Sequence, residues 1–201
     1  MEGMTKMISK QEYLSNYWSY FCRLENQLLD VQQYVEFDKS NELTYSMEFL
    51  QISQAACNEV EVLAKIIAKE LDTFGVGTYD RINQWGFVLQ NAYPDLNDEK
   101  IIFYDSRILT PWKNWTYEST KTKKGNQTLK LAKKSKSPFW WVAHNKVKHE
   151  RTSKYKKATN YRRANLLNTI NSLAALYSLE TKMQKMLKKN SLMKIRKIWK
   201  L

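Results

Sequence analysis

Residues 138–151 read Pro138-Phe139-Trp140-Trp141-Val142-Ala143-His144-Asn145-Lys146-Val147-Lys148-His149-Glu150-Arg151, the most distinctive stretch of the chain. Ser137 ahead of it suits an N-cap, and Pro138 suits a first helical position, where the missing N–H costs nothing. Helical spacing then sorts the side chains. Trp141, Asn145 and His149 recur every four residues and share one face, while Trp140, His144 and Lys148 share a second that Arg151 continues. A histidine beside an amide, with cations on the neighbouring face, has the parts needed to handle a phosphodiester. Imidazole exchanges protons near neutral pH, Lys or Arg neutralises the phosphate, and an amide orients the attacking hydroxyl. A plainer reading stands beside this one. A histidine next to an apolar face is commonly a hydrogen-bonded core group, Asn145 can tie the helix to a neighbouring backbone, and paired tryptophans are core packing. His144 and His149 lie about 140° apart on a helix of 3.6 residues per turn, so they are poorly placed to share a metal.

Working outward, a basic link over 152–159 leads to a long helix from Asn160 to about Lys189. Its apolar face is Ala164, Leu167, Ile170, Leu173 or Ala174, and Tyr177. The tail, 190–201, is basic and reads as the solvated end of that helix, with an anionic surface or RNA as the other candidate contact. Upstream, residues 100–135 are rich in β-branched and aromatic side chains. They contain a Lys123-Lys124-Gly125-Asn126 turn, and read as a lysine-rich, mobile insertion with two or three short strands. Before it lie three amphipathic stretches. Lys10–Phe37 has Leu14, Tyr17, Trp18, Phe21, Leu24, Leu28, Val31 and Val35 at steps of three and four; Thr44–Leu71, with Thr44 as N-cap, has Phe49, Ile52, Ala56, Val60, Leu63 and Ile67; and a shorter helix runs from Tyr79 or Asp80 to about Tyr93. Gly75 and Gly77 mark the turn between the last two, and Pro94 stops the third. The expected fold class is therefore mainly α: a four- to five-helix bundle with a short extended, β-like insertion before the motif helix. One domain spans 1–190, with the insertion at about 100–136 and a basic tail at 191–201.

The 201 residues carry a net charge of +13, and it is not evenly spread. Residues 1–110 hold 9 Lys+Arg and 17 Asp+Glu, a net of −8, and residues 111–201 hold 24 and 3, a net of +21. Such halves either pack on each other or on a second copy, or the basic half faces a polyanion such as RNA, or the lysines simply solvate the surface. Two cysteines and two histidines are too few for a disulfide framework or a Cys/His zinc site, and no metal or other cofactor is expected. No apolar run is long enough to span a membrane and no signal-peptide core precedes the first helix, so a soluble cytoplasmic protein is expected. Glu48 and Glu59, three turns apart, could form an acid–base pair, but suit ion pairs with the basic half better.

The run WWVAHNKVKHER, followed by a basic link and ANLLNTINSLAALYSLE, resembles the HEPN superfamily of small helical-bundle proteins. Upstream, YSMEFLQISQAACNEVEVLAKII resembles the second bundle helix of that superfamily. The resemblance covers roughly residues 12–93 and 138–188. It implies a metal-independent ribonuclease of a toxin–antitoxin, abortive-infection or other phage-defence system. It also implies a homodimer in which two Arg-polar-x-x-x-His motifs meet, together with an antitoxin or defence-system partner. Asn145 and His149 match the polar and histidine positions, while His144 stands where the superfamily has arginine. The catalytic set would then be His149, Asn145 and His144, with RNA held by Lys146, Lys148, Arg151, Arg162 and Arg163. Because some members of the superfamily are inactive, a catalytically silent RNA- or protein-binding module is the alternative. A purely structural bundle with a silent His149 is the third.

Overall fold

A computed structural model describes residues 8–121, 127–155, 158–187 and 199–200. The protein is mainly helical, with small antiparallel β-hairpins. The first long helical stretch is built from α1 (Lys10–Glu12), a π-helical segment (Tyr13–Trp18) and α2 (Ser19–Val31), opened by a reciprocal capping box between Ser9 and Glu12. It stops at Val31, short of Phe37. The chain then turns through a 3₁₀ segment (Lys39–Asn41) into α3 (Met47–Leu71). The N-cap of α3 is Ser46, whose hydroxyl accepts from the Phe49 N–H at 3.1 Å, rather than Thr44, whose backbone is engaged with Leu166. After α3, Asp72 gathers the turn by accepting from the N–H groups of Phe74 and Gly77 and from the Tyr79 hydroxyl. Gly75 and Gly77 take the left-handed φ values (69° and 74°) that the turn requires. α4 (Ile82–Ala92) follows, ended by a 3₁₀ segment at Pro94–Asp98.

Between α4 and α5 (Phe139–Glu150) the chain forms β1 (Ile101–Phe103), β2 (Ile108–Leu109), β3 (Tyr117–Lys121) and β4 (Gln127–Leu131). β1 pairs antiparallel with β2, and β3 with β4; the expected turn at Lys123–Asn126 lies outside the described residues. After α5, β5 (Lys154–Tyr155) and β6 (Ala158–Thr159) make a small hairpin within the basic link. The last helix, α6 (Leu166–Leu187), follows. A further short strand, β7 (Trp199–Lys200), pairs with β1, so these two tail residues form a strand rather than a frayed helix end.

α3 lies between α4 and α6 and packs on both. The expected stripe of α3 is buried in full: Phe49, Ile52, Ala56, Val60, Leu63 and Ile67. For α6 the sequence predicts an amphipathic helix from Asn160. Instead, 160–163 is a 3₁₀ turn, Asn165 caps the helix by accepting from Asn168 N–H at 3.0 Å, and every residue from Thr169 to Gln184 is buried. Its polar side chains are accommodated by local bonds. Thr169, Asn171, Ser172 and Thr181 donate to carbonyls three or four residues back. Glu180 accepts from Tyr13 Oη, and Lys182 pairs with Glu99 at 2.7 Å, an ion pair that joins the acidic and basic halves. Lys189 lies outside the described residues.

The extended segment does not stand apart from the helices. Trp112 and Trp115, in a loop between β2 and β3, are fully buried and join Trp85, Trp140 and Trp141 in one aromatic cluster. Trp112 donates its indole N–H to Ser178 of α6, and Trp140 donates to the Pro111 carbonyl at 2.8 Å. The expected solvated character holds for Lys130, Lys133, Lys134 and Lys136, all exposed, and also for Tyr104, Ile108 and Glu118; Lys123 and Lys124 lie outside the described residues. Among the described residues no helix is long and apolar enough to cross a membrane.

Candidate functional site

α5 begins one residue later than its sequence suggests. Pro138 is its N-cap residue, and Ser137 makes no side-chain cap. The stripe Trp140, Ala143, His144 and Val147 packs against α3 and α6, and Trp141 beside it is buried in the tryptophan cluster. Phe139, Val142, Lys146 and His149, also at steps of three and four, are exposed along the opposite side, with Lys148 and Arg151 exposed at the helix end. Burial thus divides what spacing alone had grouped. Trp141 belongs to the core, Asn145 sits half-buried at the boundary, and His149 faces solvent.

His144 and His149 are accordingly separated. His144 is 7% exposed, its ring tilted against Trp141 at 5.6 Å between centroids, and its Nδ1 has no hydrogen-bond partner among the described residues. Burial pushes its pKa down to about 4, and the nearby Lys148 charge adds to this against an opposing pull from Glu61. A neutral, buried imidazole neither pairs with a phosphate nor exchanges protons with a substrate at His149. The core position of its stripe thus sets His144 inside the fold, apart from the exposed His149.

The other basic candidates converge on the end of α5 through a scaffold that sequence reasoning missed. Asn160, itself buried, donates from Nδ2 to the Glu150 carbonyl at 2.9 Å, satisfying a C-terminal carbonyl of α5. Its Oδ1 accepts from Arg163 Nε at 3.1 Å. The Asn165 and Asn168 side chains donate to the carbonyls of Arg162 and Arg163, and the Tyr161 N–H donates to Arg151 O at 3.1 Å. Val147, Leu50, Ala164 and Tyr161 form a small apolar cluster under this turn. Arg151, Arg162 and Arg163 are thereby held beside the last turn of α5, where cations also favour the negative end of the helix dipole. Lys146 is instead engaged on its own helix by Glu150 at 3.1 Å. Arg162 is exposed, and its guanidinium lies 5.4 Å from the centroid of the Tyr45 ring. Three asparagines within nine residues of a basic turn were the sequence signal for this scaffold, since asparagine side chains readily satisfy turn carbonyls.

Glu48 is exposed and Glu59 half-buried, with burial raising the Glu59 pKa, and neither forms an ion pair with Lys182, which takes Glu99 instead. Among the described residues no group of three or more His, Cys, Asp or Glu side chains is placed to hold a metal ion. Compared with protein-family models, curated proteins and solved structures, the chain gives no match.

Proposed function

We propose that this protein is an HEPN-like helical bundle that acts on RNA as a metal-independent endoribonuclease of a phage-defence or toxin–antitoxin system, working as a homodimer. The observation that carries the reading is the end of α5. There an exposed His149 and a half-buried Asn145 stand beside exposed Lys148 and Arg151, with Arg162 and Arg163 fixed on the adjoining turn. The helical core and the asparagine scaffold supply rigid support for such a group, which catalysis by positioning requires.

In this reading His149 takes the proton from an RNA 2′-hydroxyl, and the 2′-oxygen attacks the adjacent phosphorus. The bond to the 5′-oxygen breaks, leaving a 2′,3′-cyclic phosphate and a 5′-hydroxyl whose proton the His149 of a second copy delivers. Asn145 orients the attacking hydroxyl, while Lys148, Arg151, Arg162 and Arg163 neutralise the phosphorane charge. With His144 buried, one of the arginines from the neighbouring turn holds the phosphate in place of the motif arginine.

The test is incubation of purified protein with RNA in the presence of a chelator. Cyclic-phosphate products are expected, and His149→Ala should abolish them; equal activity in that variant would remove His149 from the mechanism. A second reading, a non-catalytic RNA-binding module, is favoured by the burial of His144 at the arginine position. It requires salt-sensitive RNA binding without turnover.

A further inference from the structure

We propose that Tyr45 and Arg162 form a stacking platform for an unpaired base, so that the substrate class of this protein is single-stranded RNA. The inference rests on the RNA-acting reading above and adds where a base sits relative to the α5 end.

Tyr45 precedes α3 and is 40% exposed although its backbone is firmly held. It bridges Asn165, and on either side the Leu166 N–H donates to Thr44 O at 3.0 Å and the Ser46 N–H to Ala164 O at 3.3 Å. Its ring meets Tyr161 edge-on, at 5.5 Å between centroids and 86° between planes, while the Arg162 guanidinium lies over it. Both partners come from the turn that Asn160, Asn165 and Asn168 fix against α5. Tyrosine, guanidinium and turn therefore form a preorganised unit, and little ordering is lost when something stacks on it. Exposed tyrosine alone carries no such argument. Tyr34 is more exposed still, at 86%, but lines a groove with Val31, Val35, Asp30 and Glu48 rather than a cationic turn.

The chemistry of the surroundings selects the occupant. Between residues 145 and 165 the chain has eight Lys or Arg and one acid, Glu150, which is already paired with Lys146. A ligand with π-faces and a repeating negative charge matches an aromatic–guanidinium stack beside that stretch. Paired bases are covered by their neighbours, and the A-form major groove is too narrow for side chains, so the platform accepts a splayed, unpaired base. Tyr161 adjoins both Arg151 and Val147 of α5. The platform thus adjoins the end of α5, where Lys148, His149 and Arg151 are exposed.

The test is an anisotropy titration of the full chain with a short labelled single-stranded oligoribonucleotide, the same sequence as a blunt duplex, and the strand with abasic positions. Wild type should prefer the single strand. Tyr45→Leu should weaken single-strand binding by about tenfold and leave the abasic strand unchanged, and Tyr45→Phe should bind like wild type. Arg162→Lys keeps the charge but loses the plane, and should behave as Tyr45→Leu does; being an exposed substitution, it carries the test if Tyr45→Leu fails to fold. Tight single-strand binding by both variants, or an equal loss on the abasic strand, overturns the platform while leaving the RNA-acting reading intact. Absence of RNA binding by wild type overturns both.

Discussion

Gly86 offers the sharpest test of how the helical and extended parts fit together. It lies inside α4 and is buried against the loop that carries Trp115. A Cβ built there stands 2.4 Å from Trp115 Cζ2, 2.8 Å from its Cη2 and 2.7 Å from Tyr117 Cε2. Carbon atoms pack comfortably at about 3.5–4.0 Å, so the indole must retreat by roughly 1 Å or more. It has nowhere to go: Trp112 is stacked on it at 5.1 Å, and Trp85 and Tyr117 meet it edge-on at 5.5 and 5.6 Å. Helix propensity favours Gly86→Ala by about 1 kcal/mol, whereas overpacking of this kind costs up to about 3 kcal/mol. The expected net is a loss of about 2 kcal/mol, or a fall of roughly 4–8 °C in Tm for a chain of this size. Urea denaturation at constant m reads it directly. In a Trp115→Phe background, which lacks both clashing indole carbons, the cost should shrink by about 1 kcal/mol or more. If Gly86→Ala is as stable as wild type or more so, or its cost is the same with and without Trp115→Phe, the close approach of α4 to the tryptophan loop is wrong.

Two further outcomes concern buried titratable groups. Burial pushes the Glu180 carboxyl up to about 8; the hydrogen bond it accepts from the Tyr13 hydroxyl opposes this, and the Glu59 charge adds to the rise. The folded state therefore keeps a proton that the unfolded chain releases near 4.5, and stability falls as pH rises from there to about 8. Between about pH 6.5 and 8 denaturation should show a loss on the order of 1 kcal/mol per pH unit that Glu180→Gln removes; a flat wild-type profile in that window counts against it. His144 works in the opposite sense. Neutral in the fold, with its pKa lowered to about 4, it costs stability as pH falls from 6.5 towards 4. His144→Leu should gain on wild type across that window, read by denaturation at pH 4.5 and 6.5; an unchanged difference between the two pH values counts against a neutral, buried His144.

The long helices were readable from periodicity because their buried faces are apolar: the stripe of α3 is buried as spacing implied. α6 was readable as a helix but not as a fully buried one. Asn171, Ser172, Ser178 and Glu180 read as polar positions that water should reach until their bonds to carbonyls, Trp112 and Tyr13 are seen. Trp112 and Trp115 were hidden by context, since a lysine between them and a lysine-rich segment after them suggested surface. At the candidate site, helical geometry already separated His144 from His149. It could not say which of the two was inward, because that depends on α3 and α6. The asparagine scaffold joins residues across a turn, and periodicity carries no information about turns.

The pairing of α3 with α6 also sets a clock. About 95 residues separate the end of one from the start of the other. At ribosomal rates of roughly 5–20 residues per second, α3 waits about 5–20 s before its main partner has been synthesised. The turn bearing Arg162 and Arg163 emerges just ahead of α6 and is anchored to it by Asn165 and Asn168. A nascent chain that has made α1 to α5 therefore has His149 but not the arginine turn that completes its surroundings. Until α6 follows, the part of the apolar α3 stripe that α6 covers is left for chaperones to shield.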